Sequence, residues 1–166
     1  LISNSYNSSI ISTIKSEMRK AFKKGGCTIP KFIEVTNSNV NINGFNFPLI
    51  AKPVDRSGSR GVTKVIFENE LVEAVNYAIN ESFCKKAIIE EFIEGNEVSV
   101  EIISWNGKHT ILAITDKVTT GAPHFVELAH HQPTKLDVVI QDKIKTEVIK
   151  CLNALEIKHG ASHSEF

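Results

Sequence analysis

Lys52, Ser57, Gly58, Ser59, Arg60 and Gly61 share one stretch, P-L-I-A-K-P-V-D-R-S-G-S-R-G, running from Pro48 to Gly61. The apolar residues before Lys52 read as a short strand, and the glycines and serines after it read as a tight loop. Backbone N–H groups of such a loop can surround an anion while an ammonium and a guanidinium neutralise its charge. That is chemistry suited to a polyphosphate. Glycine and serine also build ordinary hairpin turns, so a bare turn is the competing reading. Arg60 likewise has two readings, a phosphate contact and a solvated surface cation.

The acidic candidates are Glu90, Glu91, Glu97 and Glu165. Strand alternation sends Glu90 and Glu91 to opposite faces, so they cannot act together as a carboxylate dyad. Glu165 alone is an incomplete magnesium site, because magnesium takes one or two carboxylates together with phosphate oxygens and water. His124, His130 and His131 raise zinc, but no helical His-x-x-x-His and no Cys-x-x-Cys accompanies them. Neither G-x-x-x-x-G-K-S/T nor G-x-G-x-x-G occurs, which removes the main support for P-loop and dinucleotide-binding readings.

The elements that must hold these residues can be read in order. Ile11, Ile14, Met18, Ala21 and Phe22 predict one amphipathic helix over 8–24, stopped by Gly25 and Gly26. Pro30 to Val35 reads as a strand, followed by a loop to Gly44. The Lys52 strand, its loop and the following G-V-T-K-V-I-F predict two antiparallel strands. Asn69 is the expected N-cap of a helix to about Ser82, with Leu71, Val75, Ala78 and Ile79 as its apolar face. Lys86 to Ile93 and Val98 to Trp105 read as strands, and Asn106-Gly107 predicts a hairpin returning along Lys108 to Thr115. Trp105, beside that turn, is expected to be a cross-strand packing residue rather than a stacking platform. Thr119 to Pro123 marks a turn, and Phe125 to Ala129 another strand. A helix over Val138 to Glu156 carries Ile140, Ile144, Val148, Leu152 and Leu155 on one face. Gly160 to Phe166 reads as a strand just beginning, so the chain is expected to stop within a sheet. The fold class is α+β with largely antiparallel sheets.

The 166 residues suffice for one domain or two small lobes, and 19 basic residues balance 19 acidic ones. That balance argues against a polybasic nucleic-acid footprint. No apolar run reaches bilayer length, and the first residues lack the pattern of a secretory signal. Three scattered cysteines, Cys27, Cys84 and Cys151, form no disulfide framework. A reducing cytoplasm is expected, with each cysteine a small buried apolar residue.

From Lys15 to Phe166 the order of these features resembles the ATP-grasp superfamily, whose members include biotin carboxylase, carbamoyl phosphate synthetase and D-alanine–D-alanine ligase. The carbamoyl-phosphate-synthetase-like and biotin-carboxylase-like branch is the nearest in pattern. The resemblance implies ATP held between two α+β lobes, with Mg2+ and a small carboxylate as the other ligands. It divides the chain into an N-terminal helical segment (1–30), a lid (31–92) and part of a core lobe (93–166). It implies phosphate contacts for Lys15, Lys52, Lys117 and the loop Ser57, Gly58, Ser59, Arg60 and Gly61. Glu90, Glu91, Phe92 and Ile93 match the adenine-binding hinge, Glu97 the ribose-binding acid and Glu165 the first magnesium ligand. In the family the second acidic ligand and an asparagine follow on the next strand, in a Glu-x-Asn motif expected after Phe166. The implied activity is that of a carboxylate–amine ligase working through an acyl phosphate. A nucleotide-binding module without catalysis and an α+β interaction domain remain the alternatives.

Overall fold

The computed structural model describes residues 2–121 and 126–166. Ala122, Pro123, His124 and Phe125, and with them part of the predicted turn and strand, lie outside the described residues. No helix among those described is long and apolar enough to cross a membrane.

The N-terminal helix is two helices, not the single one expected from the apolar spacing: α1 (Tyr6–Thr13) and α2 (Lys15–Lys24). Ile14 between them is extended, with φ −88° and ψ 111°. The cause is a tertiary hydrogen bond, in which the Lys15 amide donates to the Val54 carbonyl at 2.8 Å. The residues this segment buries fully are serines. Ser8 Oγ donates to the Leu155 carbonyl at 2.6 Å, and Ser16 donates to Glu34. Polar anchors thus override the apolar stripe and fix where α2 begins.

Then follow β1 (Phe32–Val35), β2 (Leu49–Pro53), β3 (Thr63–Val65), α3 (Leu71–Glu81) and β4 (Ala87–Glu91). The four strands form an antiparallel sheet in the order β1-β4-β2-β3, so the lysine loop does join two antiparallel strands. One face packs on α3, burying Leu49, Ala51, Val65, Ala87 and Ile89 against Leu71, Ala74, Val75 and Ala78. Each fully buried Leu, Ile or Val contributes about 1.5–3 kcal/mol. Asn69 is not the cap of α3. It lies in a short 3-10 turn, and the Glu70 carboxylate accepts from the amides of Ile66 and Phe67 at 2.8 and 3.1 Å. Glu70 holds the N-cap position of α3 without a side-chain bond to the helix's first amides, and its carboxylate instead closes the turn ahead of the helix.

The second sheet contains β5 (Val98–Trp105), β6 (Lys108–Thr119), β7 (Glu127–His131) and β8 (Gly160–Glu165), in the order β7-β6-β5-β8. Its core is Val98, Val100, Ile102 and Ile114 against Val148 and Leu152 of α4 (Val138–Ala154). The Asn106-Gly107 hairpin forms, with both residues at positive φ. Strand β6 continues to Thr119, past the expected end at Thr115, because β7 pairs along its far half. Two expectations fail here for the same reason, exposure: Ile140 precedes the part of α4 that packs on the sheet, and Cys84 sits in an exposed turn. Trp105 packs across strands, T-shaped to the His159 ring with centroids 5.4 Å apart, next to the Ser104–Gly160 pair of β5 and β8.

In the loop after β2, Gly58, Ser59 and Gly61 all have positive φ. At Gly61 a Cβ would lie 2.7 Å from the Pro53 side chain and 2.9 Å from Glu81 Cβ, whereas at Gly58 it would meet nothing within 4 Å. Gly61→Ala is therefore expected to lower stability by about 3 kcal/mol, strain plus overpacking, and Gly58→Ala by about 1 kcal/mol. Urea midpoints of the two variants measured side by side check this; equal losses would contradict the packing assigned to Gly61.

Candidate functional site

Alternation along β2 decides which of its side chains leave the core. Leu49, Ala51 and Pro53 are buried, and the packing of Leu49 and Ala51 against α3 leaves Ile50 and Lys52 to the opposite face. On β4 the same rule separates Ala87 and Ile89 from Ile88 and Glu90. Lys52 pairs with Ile88 in register, which makes Glu90 its diagonal neighbour. Lys52 Nζ donates to Glu90 Oε2 at 2.5 Å, and Arg19 Nε, from α2, donates to Oε1 at 2.5 Å. Burial alone, with only 4% exposure, would push the Glu90 carboxyl up. The charges of Lys52 and Arg19 outweigh it and hold the group below the ordinary carboxylate range.

Lys15, at the break between α1 and α2, joins the same cation group and donates to the Arg56 carbonyl. Burial and the neighbouring Lys52 charge push its ammonium below the ordinary lysine range, against the pull of Asp55 and Glu90. Arg56 lies with its guanidinium 4.2 Å above the Phe83 ring and 3.6 Å from Glu81. Its Nε is buried without a hydrogen-bond partner.

The second sheet supplies the facing wall. Lys117 lies within β6, its side chain only 5% exposed, bridging Glu127 at 2.7 Å and Glu165. Burial opposes its charge, but the two carboxylates raise its affinity for the proton above that of an ordinary lysine. The Lys117 amide donates to the Glu97 carbonyl at 2.9 Å, holding the residue before β5 beside it. On β8, His163 Nδ1 lies 2.7 Å from Glu101 Oε1, and its Nε2 lies 3.8 Å from Glu165.

These walls enclose one cavity of about 530 Å³ between the sheets. Of the residues singled out in the sequence, Lys15, Lys52, Ser57, Gly58, Ser59, Arg60, Phe92, Glu97, Lys117 and Glu165 line it. Four do not. Gly61 is buried against Pro53, Glu90 sits beneath Lys52 as its counterion, Glu91 turns away to accept from the Asn46 amide at 3.1 Å, and Ile93 is exposed beyond the end of β4. Five cations (Lys15, Lys52, Arg56, Arg60 and Lys117) face three carboxylates (Glu97, Glu127 and Glu165), so the lining is net cationic. Sequence reading missed Arg56, Glu127 and His163. His163 had a usable signal, since it lies two residues before Glu165 on the same strand face. Glu127 had none, because its place beside Lys117 depends on pairing between β6 and β7.

The histidine zinc idea gains nothing here. His130 lies 3.4 Å from Glu127, His124 is outside the described residues, and neither His130 nor His131 joins a described cluster of three potential ligands. No cysteine lines the cavity. Burial and the neighbouring Cys27 thiol push Cys151 up to about 12, which rules it out as a ready nucleophile.

The sequence profile of the family described as ATP-grasp domain matches residues 45–166. The chain belongs to the ATP-grasp family. Its sequence is similar to a D-alanine–D-alanine ligase of Christiangramia forsetii, 30% identical over 136 residues that span 78% of this chain and 41% of that protein. The ATP-grasp chain thus spans about two fifths of the length of that curated relative. Its fold is similar to the L-amino acid ligase of Bacillus licheniformis, with TM-score 0.86 and 27% identity over 99% of this chain and 39% of the other. It is also similar to biotin carboxylase of Campylobacter jejuni, solved as a β,γ-ATP complex, with TM-score 0.87 over 99% of this chain and 39% of the other. At 19% identity this last likeness concerns the ATP-grasp fold alone.

Replacing Glu90 by Gln leaves Lys52 and Arg19 without their shared counterion and is expected to cost about 3 kcal/mol at pH 7. Because the folded carboxyl titrates below its unfolded value, its contribution is full above about pH 5 and is lost as the pH falls through the folded value. The gap in urea-unfolding stability between wild type and Glu90→Gln should therefore be constant from pH 8 to about pH 5.5 and shrink below it. A gap independent of pH down to pH 3 would contradict the ion-pair account.

Proposed function

We propose that the chain is the ATP-binding part of an ATP-dependent ligase that activates an amino-acid carboxylate as an acyl phosphate and couples it to an amino group. The observation that carries this is the convergence of Lys52, the 57–60 loop and Glu97 on one net cationic cavity. The buried, unpartnered Nε of Arg56 in the same wall suits an anionic ligand. Relatives named for D-alanine–D-alanine and L-amino acid ligation support an amino acid as the acyl donor. On this reading 31–92 is the lid, 93–166 part of the core lobe, and the enzyme works in the cytoplasm.

In this reading Lys15 and Lys52 meet the phosphates from one side, and the amides of Ser57, Gly58 and Ser59 close over them. Lys52 is held in place by Glu90, so its ammonium is positioned before the nucleotide arrives and little reorganisation is needed. The amides of Glu91 and Phe92 are already committed to the carbonyls of Lys31 and Pro48 at 3.0 Å. The hinge therefore offers an adenine edge its carbonyls and the chain beyond Phe92. Glu97 accepts from ribose hydroxyls. Glu165, with Glu127 beside it, presents the carboxylate oxygens that Mg2+ takes; bound there, Mg2+ would neutralise phosphate oxygens as charge shifts. The substrate carboxylate oxygen attacks the γ-phosphorus and ADP leaves. The amine then attacks the acyl carbon and inorganic phosphate leaves. Closure of the loop excludes water from both steps.

Calorimetric titration with ATP and Mg2+ tests the reading. Lys52→Ala is expected to weaken binding by about a hundredfold, the scale of a lost charge-assisted contact of 2–3 kcal/mol. Wild type should bind 2′,3′-dideoxy-ATP about tenfold more weakly than ATP, and Glu97→Gln should abolish that preference. Unchanged affinity in Lys52→Ala, or a dideoxy penalty that survives in Glu97→Gln, would overturn the assignment.

A further inference from the structure

A second group of chemically capable side chains lies outside the cavity, where the end of α2 meets α4. Cys27 and Cys151 are buried there, and Glu147 is half-buried beside them. Their two sulfurs and a carboxylate oxygen all lie within 4.8 Å of one another. The ATP-grasp reading uses none of the three.

The surroundings hold this trio in place. A Cβ on Gly25 would fall 2.6 Å from Ala154 Cβ, so the absence of a side chain is what lets the last turn of α2 approach α4 so closely. The Thr28 amide donates to Glu147 Oε1 at 2.5 Å, tying the segment after α2 to α4. Lys150 Nζ donates to Glu147 Oε2 at 2.8 Å and to the Gly26 carbonyl at 3.3 Å, bridging the same two segments. The donors thus come from two elements fixed against each other by independent contacts.

We propose that Cys27, Cys151 and Glu147 form a binding site for one thiophilic divalent cation of the zinc type. Two thiolates and a carboxylate give three protein ligands, and water from the exposed side of Glu147 completes a four-coordinate shell. Sulfurs bound to a tetrahedral ion at about 2.3 Å lie roughly 3.8 Å apart, so an approach of at most about 1 Å brings the donors to bonding distance. Such a shift needs side-chain rotation but no movement of α2 relative to α4. Binding releases the two thiol protons to solvent. The resulting charges, two thiolates and Glu147 against the divalent ion and Lys150, cancel at the junction. The site would then clamp α2, which carries Lys15 and Arg19, to α4.

The probes are Zn2+ and Cd2+, with the protein in reduced form. Zn2+ competition against a chromophoric chelator should show one site per chain, weakened at least a hundredfold by Cys27→Ser or Cys151→Ser and about tenfold by Glu147→Gln. Cys84→Ser, at the exposed thiol elsewhere, should leave it unchanged. Cd2+ should add a thiolate-to-metal charge-transfer absorption, a signal that the carboxylates of the cavity cannot produce. Glu147→Gln exchanges one carboxylate oxygen for an amide nitrogen in a half-buried side chain, so it reports even where a cysteine variant fails to fold. Uptake that persists in the Cys27→Ser/Cys151→Ser protein, uptake that follows Cys84, or a folded reduced protein without the Cd2+ absorption would overturn the proposal. So would oxidation of Cys27 and Cys151 to a disulfide at the same rate with and without saturating Zn2+. None of these readouts depends on ATP binding.

Discussion

A carboxylate buried in the middle of a sheet can stay charged only if cations are brought to it, and Glu90 forces that condition on the fold. Lys52 comes from the neighbouring strand by register, and Arg19 comes from a helix 71 residues earlier in the chain. An unpaired charge at this depth would cost several kcal/mol, so α2 and the first sheet are bound to adopt one relation to each other. That relation puts Lys15, at the start of α2, beside Lys52. The cationic wall is therefore a consequence of neutralising one acid, with cations to spare for a ligand.

The facing wall is built by the opposite logic. There a buried lysine, Lys117, is held charged by two carboxylates, Glu127 and Glu165, that reach it from the two ends of the second sheet. One wall presents cations anchored by a carboxylate, and the other presents carboxylates anchored by a cation. Between them, a ligand with hydroxyls at one end and, at the other, anionic groups that a metal can bridge to the carboxylate wall finds complementary partners. A nucleoside triphosphate has that distribution of charge.

Much of this arrangement was legible in the residues themselves. Lys52 closing an apolar run before Pro53 and the glycine-serine loop marks a cation next to a phosphate-sized bend, and Lys52 and residues 57–60 all line the cavity. Glu97, a few residues beyond the β4 strand, faces it as well. Local patterns gave way where tertiary contacts decide. Ile14 breaks a helix that its neighbours' spacing would continue, because the Lys15 amide is drawn to Val54. Glu90 could be assigned to a strand, but its role could not, since its second partner lies on a distant helix. Glu70 takes the cap position from Asn69 because a 3-10 turn over Glu68–Glu70 precedes the helix, a feature that residue preference does not capture. The pairing of Lys117 with Glu127 awaited the register of β6 and β7.

The most direct test is a crystal structure of the protein with a non-hydrolysable ATP analogue and Mg2+. The account predicts the terminal phosphates within hydrogen-bond distance of Lys52 Nζ and the amides of the 57–60 loop, with the ribose hydroxyls on Glu97 and the metal on Glu165. A nucleotide bound in this cavity with its phosphates away from Lys52, or seated elsewhere on the protein, would contradict it.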